Sequence, residues 1–365
     1  MELPQAPDPV GRGSRIQPPN RFTRLEMVDD LEHLEYDEEA RESRTRIATE
    51  YFADASRSIV TSNNSPDIPF TYSLNPYRGC THGCSYCYAR PTHEYFDLSA
   101  GIDFETKIFV KEQAPALLRD FLADAKWKPE TIMMSGVTDC YQPAEKTFRI
   151  TRGCLEVALE ARQPMSIITK NALILRDLDV LREMAKLNLI RVAIGLTTLD
   201  QSLTKVMEPR TSSPSARLRT IGELSAAGVP THALCAPLIP GLTDSEIPAL
   251  LRAAKDAGAL SASYILLRLP WAVKPIFLDW LDRCFPEKRS KIESRIRGVR
   301  GGKLNVAEFG KRMTGSGEMA DQIERTFEVF AKRFGLDGDM PPLDSSQFRR
   351  PTPTSGQGWL FGDWA

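Results

Sequence analysis

Residues 75–88 read Asn-Pro-Tyr-Arg-Gly-Cys-Thr-His-Gly-Cys-Ser-Tyr-Cys-Tyr. This stretch places Cys80, Cys84 and Cys87 in a C-x3-C-x2-C spacing, and a glycine precedes each of the first two. Closely spaced thiolates on a glycine-rich loop can converge on one iron–sulfur cluster, because glycine permits the backbone angles that such a loop needs. Three ligands leave one iron of a [4Fe–4S] cluster without a protein thiolate, and an open position on a metal is typical of catalytic sites. We therefore expect a reactive [4Fe–4S] cluster on these cysteines.

A zinc site is the alternative interpretation of the same stretch. Its fourth ligand would be His82 or a distant cysteine. The C-x2-C half of the spacing fits a zinc knuckle, but no second C-x-x-C pair follows in the chain. The lack of that pair favours the iron–sulfur interpretation, and it also predicts no auxiliary cluster.

The composition indicates an ordinary globular protein. Of its 365 residues, 42% are hydrophobic and 26% are charged, and the net charge of -1 provides no global attraction for nucleic acid or an acidic membrane. No apolar run approaches the roughly 20 residues of a membrane helix, and the amino terminus lacks a basic-then-apolar signal pattern. The seven cysteines are an odd number, which argues against a disulfide framework. We expect a cytoplasmic protein without a membrane segment.

From residue 72 onward, short apolar runs alternate with stretches of helical period. Such alternation predicts parallel strands joined by right-handed helical crossovers. Core strands are predicted at 72–75, 131–135, 165–169, 190–196, 231–237 and 263–267. Six units are fewer than the eight of a closed barrel, so the predicted fold class is α/β, a partial (β/α)6 TIM-type barrel with an N-terminal arm and a helical C-terminal extension. The predicted segments are a partly disordered arm (1–65), the core (66–275), the helical extension (276–340) and a flexible tail (341–365).

The cysteine spacing, with the aromatic Tyr86 before the third cysteine and β/α units downstream, resembles the signature of radical SAM enzymes. The resemblance implies that the unliganded iron chelates the amino and carboxylate groups of S-adenosylmethionine. One-electron reduction would then cleave the sulfonium and give a 5′-deoxyadenosyl radical, with the electron supplied by a flavodoxin or ferredoxin. It also implies that Cys80, Cys84 and Cys87 are the cluster ligands and that Tyr86 lies against the adenine.

Three further segments resemble the branch of this superfamily that is related to spore photoproduct lyase, often labelled DNA-repair-photolyase-like. They are 135–143, 168–171 and 237–244, and the resemblance covers about residues 70–270. It implies a lyase-like or transferase-like radical reaction on an unknown substrate, with nucleic acid as one substrate class. The alternatives are a radical enzyme that acts on protein or a small molecule, and a non-catalytic iron–sulfur or zinc binding protein.

Cofactor contacts are expected where the predicted strands end, since catalytic residues of parallel barrels lie at the carboxyl ends of strands. After the second strand, Ser135, Thr138 and Asp139 offer hydroxyl, backbone and carboxylate groups to the amino and ribose groups of S-adenosylmethionine; capping of the next helix is the alternative. Thr169 and Lys170 end the third strand, where the lysine would pair with the methionine carboxylate. A solvated lysine is the alternative there.

Three weaker candidates lie elsewhere in the chain. Thr197 closes the fourth predicted strand, where related enzymes usually place a small hydroxyl residue close by, but this chain has Gly195. Arg217, like Arg210, is in a position to reach a carboxylate or phosphate, and a surface role is the alternative for both. Cys140 is a candidate hydrogen-atom donor, because it lies in a strand-end loop that is expected to face the cofactor; a buried structural thiol is the alternative.

Two features concern macromolecular partners. The stretch 288–303 carries seven lysines and arginines around three glycines, which would suit phosphate, although the acidic Glu287 and Glu293 favour a solvated helix. Near the carboxyl end, Gln357-Gly358-Trp359-Leu360-Phe361 resembles the short peptide with which bacterial DNA enzymes dock on the sliding clamp. Folding of this segment back on its own domain is the alternative.

Overall fold

The structure is a computed structural model that describes residues 9–23 and 47–355. The strands are β1 (Glu50–Ala53), β2 (Val60–Ser62), β3 (Tyr72–Leu74), β4 (Tyr77–Arg78), β5 (Lys107–Val110), β6 (Ile132–Met134), β7 (Met165–Thr169), β8 (Ile190–Gly195), β9 (Thr231–Leu238) and β10 (Ser261–Leu266). The helices are α1 (Asp103–Thr106), α2 (Ala114–Ala123), α3 (Glu145–Phe148), α4 (Ile150–Glu160), α5 (Leu178–Lys186), α6 (Gln201–Met207), α7 (Pro214–Ala226), α8 (Ile247–Asp256), α9 (Val273–Cys284), α10 (Arg289–Gly298) and α11 (Glu318–Phe334).

A seven-stranded sheet forms the centre of the fold, with the order β10-β9-β8-β7-β6-β3-β2. The six strands from β3 to β10 in this sheet run parallel, and β2 pairs antiparallel with β3 at one edge. Apolar side chains of neighbouring strands, such as Ile167, Val192 and Leu238, are fully buried. The predicted α/β fold class, a partial barrel of six parallel strands, is confirmed. All six carboxyl strand ends therefore meet at one edge.

A second, smaller sheet with the order β1-β5-β4 holds the start of the cysteine loop. β4 ends two residues before Cys80 and pairs antiparallel with β5, where Tyr77 lies opposite Val110. The backbone N–H of Cys80 donates to the carbonyl of Phe104 at 2.9 Å. The β4–β5 pairing and the hydrogen bond to Phe104 thus fix the backbone position of Cys80.

The described part of the N-terminal arm packs against the core. Arg12 and Ser14 are buried, and Arg12 Nη1 donates to the Glu105 carbonyl at 2.8 Å. The backbone N–H groups of Gly13 and Ser14 donate to the two Glu105 carboxylate oxygens at 3.0 and 2.8 Å. The prediction of one arm over residues 1–65 did not anticipate this packing. The physical reason is that backbone donors from the arm satisfy a buried carboxylate, which composition alone does not reveal.

The carboxyl-terminal part departs from the predicted boundaries in two places. Helix α9 runs across residue 275, so the core and the extension share a helix. In the predicted tail, Asp344 N–H donates to the Asn188 carbonyl and Arg349 N–H to the Ala161 carbonyl, at 2.9 and 2.8 Å. Gln357–Phe361 lies outside the described residues, and sliding-clamp docking stays a prediction. Among residues 9–23 and 47–355, no helix is long and apolar enough to cross a membrane.

Candidate active site

The three cysteines of the loop are neighbours in space. Cys80 and Cys84 are buried, each in its own apolar cluster, and the half-buried Cys87 packs against both clusters. Gly79 and Gly83 hold left-handed backbone at φ 77° and 67°, which lets the loop turn back on itself. Burial raises the pKa of all three thiols, and a neighbouring thiol adds to the rise at Cys80 and Cys84. Three thiols on one wrapped loop fit the soft donor set of an iron–sulfur cluster.

His82, the candidate fourth zinc ligand, has other partners. Its Nδ1 lies 3.4 Å from Asp139 Oδ2, and its Nε2 lies 3.0 Å from Asn171 Nδ2. Burial lowers the pKa of the His82 imidazole, which favours the neutral ring. In the part of the chain that the structure describes, no three His, Cys, Asp or Glu side chains converge on a point that a single metal ion would occupy.

Asp139 joins the loop after β6 to the end of β7. Its Oδ1 accepts from Thr169 Oγ1 at 2.8 Å and from Tyr141 N–H at 2.9 Å, and its Oδ2 accepts from Lys170 N–H at 2.9 Å. The contact with the Tyr141 N–H is a local turn, and the other two cross between strands. The carboxylate therefore fixes the strand end that carries Lys170.

The two hydroxyl residues predicted beside Asp139 have protein partners. Ser135 adopts φ 75°, and its Oγ accepts from Cys140 N–H at 2.8 Å. Thr138 Oγ1 donates to the Tyr77 carbonyl at 2.8 Å, which ties the β6 loop to the strand before the cysteines. Their contacts hold the loop in shape, and a Ser135 hydroxyl that accepts still has its own proton to donate.

Lys170 extends over Gly195 toward the cysteines. A Cβ on Gly195 would lie 2.8 Å from Lys170 Cγ and 3.3 Å from its Nζ, so a side chain at position 195 would displace the lysine. The Lys170 ammonium lies 6.0 Å from the centre of the Tyr86 ring. Glycine in place of the expected hydroxyl residue thus has a physical reason. Within the described residues, Lys170 forms no salt bridge with a carboxylate.

Arg217 is buried, so the surface interpretation of this residue is wrong. Its guanidinium pairs with Glu208 and donates to the carbonyls of Ser212 and Gly195 at 2.9 and 3.0 Å. Glu208 also accepts from the Tyr86 hydroxyl and, at 2.8 Å, from Thr197 Oγ1. Arg217, Glu208, Tyr86 and Thr197 therefore form one buried network, which we call the Glu208 network.

Glu208 is the residue of this network that the sequence analysis did not predict. It follows the last residue of α6, where the helix dipole disfavours a carboxylate unless a cation neutralises it. A carboxylate at the carboxyl end of a helix therefore predicts a cationic partner close by, which here is Arg217. Burial alone would raise the pKa of the Glu208 carboxyl, but Arg217 and Lys170 outweigh burial and hold it below its ordinary value. Burial alone would lower the pKa of Arg217, and Glu208 outweighs that in turn.

Replacement of Glu208 by glutamine is expected to destabilise the protein by about 3–5 kcal/mol, because it leaves the buried Arg217 guanidinium without its counter-charge. Urea denaturation measures this free energy of unfolding. The matched control is Glu156→Gln, which breaks an exposed pair with Arg152 and should cost under about 1 kcal/mol. The double variant Glu208→Gln/Arg217→Met should recover part of the loss. Equal effects of Glu208→Gln and Glu156→Gln would contradict this account.

Cys140 is fully buried, and its thiol lies near the side chains of Ser135 and Thr151. Burial, with Asp139 second, raises the pKa of the thiol. The hydrogen-donor role stays a prediction.

The basic stretch 288–303 is divided by burial and by ion pairs. Arg300 is buried and donates to the carbonyls of Leu266, Leu267 and Lys311. Arg289 and Arg297 both pair with Glu293. The stretch is therefore not a continuous phosphate-binding surface.

Comparison with known proteins places this geometry in a family. The model of the radical SAM superfamily matches residues 74–254. The uncharacterized protein Rv2578c of Mycobacterium tuberculosis is 38% identical over 236 residues, which cover 64% of this chain and 69% of that protein. The uncharacterized protein MJ0683 of Methanocaldococcus jannaschii is 33% identical over 175 residues, which cover 48% of this chain and 63% of that protein.

Among solved structures, spore photoproduct lyase complexed with dinucleoside spore photoproduct matches with a TM-score of 0.58 and 16% identity, over 78% of this chain and 79% of that chain. A mutant of the same lyase matches with a TM-score of 0.58, over 82% and 83%. This likeness shows a shared fold. Together with the superfamily model, the sequence relatives and the three-cysteine loop, it shows that the chain belongs to the radical SAM superfamily, enzymes that bind a [4Fe–4S] cluster and S-adenosylmethionine and need an electron donor.

Proposed function

We propose that this chain cleaves S-adenosylmethionine reductively at a [4Fe–4S] cluster on Cys80, Cys84 and Cys87 and uses the product radical to abstract hydrogen from its substrate. The observation that carries the proposal is the meeting of three thiols on one loop with Lys170, a cation without a salt-bridge partner in the described residues. When bound, the cluster supplies one electron to the sulfonium, which gives methionine and a 5′-deoxyadenosyl radical.

The protein groups around the thiols would bind and orient S-adenosylmethionine. The Lys170 ammonium would pair with the methionine carboxylate, because a charge-assisted hydrogen bond is the strongest contact on offer there. The Tyr86 hydroxyl donates to Glu208, so the face of the Tyr86 ring remains to stack against an adenine. Two further pairs would act indirectly. Asp139 and Thr169 fix the strand end that carries Lys170. Thr197 and Arg217 hold Glu208, which fixes the position of Tyr86.

Anaerobic reconstitution tests the proposal. The purified chain is loaded with iron and sulfide, reduced with dithionite and incubated with S-adenosylmethionine. We expect 5′-deoxyadenosine and methionine by liquid chromatography and mass spectrometry. A brown, fully loaded protein that forms no 5′-deoxyadenosine would reject the enzyme proposal in favour of a non-catalytic iron–sulfur protein. A colourless protein that retains stoichiometric zinc would favour the zinc alternative.

Replacement of Lys170 by methionine is expected to raise the KM for S-adenosylmethionine by about 10- to 100-fold, since a hydrogen bond to a charged group contributes about 1.5–3 kcal/mol. Iron content should stay at the level of the unchanged protein. Lys146→Met, at an exposed lysine of α3, is the matched control and should leave the KM unaltered. An unchanged KM for Lys170→Met would remove the carboxylate contact from the proposal.

We propose separately that Cys140 donates a hydrogen atom to a substrate radical. Replacement of Cys140 by alanine should add side products to the reaction if the thiol quenches a substrate radical. A normal product profile would assign Cys140 to the core, as its burial favours. The side products would be identified by mass spectrometry of the reaction mixture.

We further propose nucleic acid as the substrate class. The support is the shared fold with spore photoproduct lyase, which was solved with a dinucleoside spore photoproduct. Addition of single-stranded DNA or RNA should stimulate 5′-deoxyadenosine formation. Stimulation by a protein digest or a small-molecule extract alone would favour the other substrate classes.

We infer a cytoplasmic enzyme that receives its electron from a flavodoxin or ferredoxin. All seven cysteines are free thiols, which supports a reducing compartment. An electron-transfer assay with either donor in place of dithionite tests this: 5′-deoxyadenosine should still form.

A further inference from the structure

Two groups of aromatic rings and cations follow the cysteine loop and β10, on the carboxyl side of the strands: Tyr88 with Arg268, and Trp271 with Lys274 and Lys303. We call this the mouth surface and define it by Tyr88, Arg268, Trp271, Lys274 and Lys303. Tyr88 follows the last cluster cysteine and is 48% exposed, and its hydroxyl donates to the carbonyl of Gly136, just after β6, at 2.7 Å. Arg268 follows β10, and its guanidinium lies 5.6 Å from the centre of the Tyr88 ring. The surface therefore begins beside the cysteine loop.

Trp271 is held in an exposed position at a conformational cost. It is 64% exposed, and its backbone has φ 44°, which is rare for a bulky residue. Arg21, from the N-terminal segment, lies 4.2 Å from the centre of the indole and is itself paired with Glu94. The indole is thus supported on one side. A strained, supported and exposed ring is expected where the ring binds something.

The cations of the mouth surface form no salt bridge with a described carboxylate, although the Asp67 charge acts on Arg268 from a longer distance. Arg268, Lys274 and Lys303 have no carboxylate partner within the described residues, and Arg268 Nε is buried without a hydrogen-bond partner there. Lys274 and Lys303 line a cleft of ≈ 430 Å³ together with Trp271. The buried Leu269 and Leu304 of this cleft share an apolar cluster with Cys84 and Tyr86. The cleft is therefore joined to the cluster loop by packed side chains.

We infer that the mouth surface binds a single strand of nucleic acid, with bases stacked on Trp271 and Tyr88 and phosphates held by Arg268, Lys274 and Lys303. A nucleotide offers a planar face and one negative charge per unit, which matches rings interleaved with unpaired cations. An acidic peptide would use the cations and leave the supported indole without a role. This inference rests on the proposed function and names its substrate class and the residues that bind it.

Fluorescence anisotropy with a labelled 12-nucleotide single-stranded DNA tests the inference on the reconstituted full chain. Three phosphate contacts predict that log K falls against log salt with a slope of about −2, and Lys274→Ala/Lys303→Ala should flatten it to about −0.7. Trp271→Ala should weaken binding about 5- to 100-fold, whereas Trp271→Phe keeps a stacking face and most of the affinity. The matched control pair is Lys126→Ala/Lys128→Ala, two exposed lysines that precede β6 at the opposite end of the sheet, and it should leave both slope and affinity unchanged.

Three outcomes would overturn the inference. They are no binding at 50 mM salt, equal losses from the two lysine pairs, and an octaglutamate peptide that competes fully while Trp271→Ala has no effect. The last result would assign the surface to an acidic protein. Formation of 5′-deoxyadenosine by the same preparation keeps this test separate from the proposed function. A chain that cleaves S-adenosylmethionine without binding DNA refutes only the mouth surface.

Discussion

Replacement of Cys84 by alanine is expected to abolish cluster binding and, with it, all formation of 5′-deoxyadenosine. Cys84 is the middle thiol of the loop, and the Arg90 guanidinium holds its carbonyl through Nε and Nη2 at 3.0 and 2.9 Å. Two thiols would leave two irons of the cluster without protein ligands, and His82, the other donor of the loop, is held by Asp139 and Asn171. The measurements are iron and sulfide content and the absorbance of the reconstituted protein.

The matched control is Cys154→Ala, which removes a fully buried thiol on α4 outside the cysteine loop. It should lower the free energy of unfolding by about 1–3 kcal/mol, through lost packing, yet keep the iron load of the unchanged chain. A Cys84→Ala protein that still carries a full cluster would remove the three-cysteine assignment. If Cys84→Ala instead lost zinc that the unchanged chain binds, the loop would be a zinc site.

The fold was predictable because its signals are local. Each core strand is a largely apolar run of three to eight residues, and a stretch of helical period separates one run from the next. The three cysteines lie within eight residues, so their spacing alone predicts a metal-binding loop, and the family resemblance supplies the chemistry. The position of Lys170 at the carboxyl edge of the parallel sheet was predictable for the same reason, since it directly follows the apolar strand β7.

The parts of the site that the sequence did not predict depend on contacts between residues that are far apart in the chain. Nothing local says that Arg217 is buried, because its ion pair with Glu208 exists only when α6 and α7 pack beside β8. The sequence shows only that Gly195 stands near where related enzymes place a hydroxyl residue; the fold shows that Lys170 occupies the space above it. Long-range pairs of this kind decide whether a charge is a surface charge or a buried one.

Replacement of Gly13 by alanine is expected to impair cluster binding from a position outside the cysteine loop. A Cβ on Gly13 would lie 1.6 Å from the carbonyl oxygen of Gly83, which is the residue between Thr81-His82 and Cys84. Backbone cannot yield at that distance without moving the loop. Gly83 is itself closely packed, because a Cβ on it would lie 2.7 Å from Glu105 Oε2 and 3.3 Å from Gly13 N, so its carbonyl has little room to turn away. We expect a lower iron load, a shifted midpoint potential of whatever cluster forms, and a loss of roughly 1–3 kcal/mol in stability.

Glu105 and Arg90 also connect the N-terminal segment to the cysteine loop. A variant of Glu105 can therefore distinguish a positioning role from general destabilisation. Glu105 accepts from Gly13 and Ser14 and pairs with Arg90, which in turn donates to the Cys84 carbonyl. Glu105→Gln keeps the shape and removes the charge, so it should shift the midpoint potential in the protein that still folds.

Gly338→Ala is the control for Gly13→Ala, because nothing lies within 4 Å of its added Cβ, and it should leave iron load and potential unchanged. Redox titration followed by electron paramagnetic resonance measures the potential. A Gly13→Ala protein with a full iron load and the potential of the unchanged chain would show that the N-terminal segment merely rests on the loop. A shifted potential in a folded variant would instead make residues 12–14 part of the cluster site, since the potential of such a cluster depends on the charges, hydrogen bonds and solvent exposure around its thiolates.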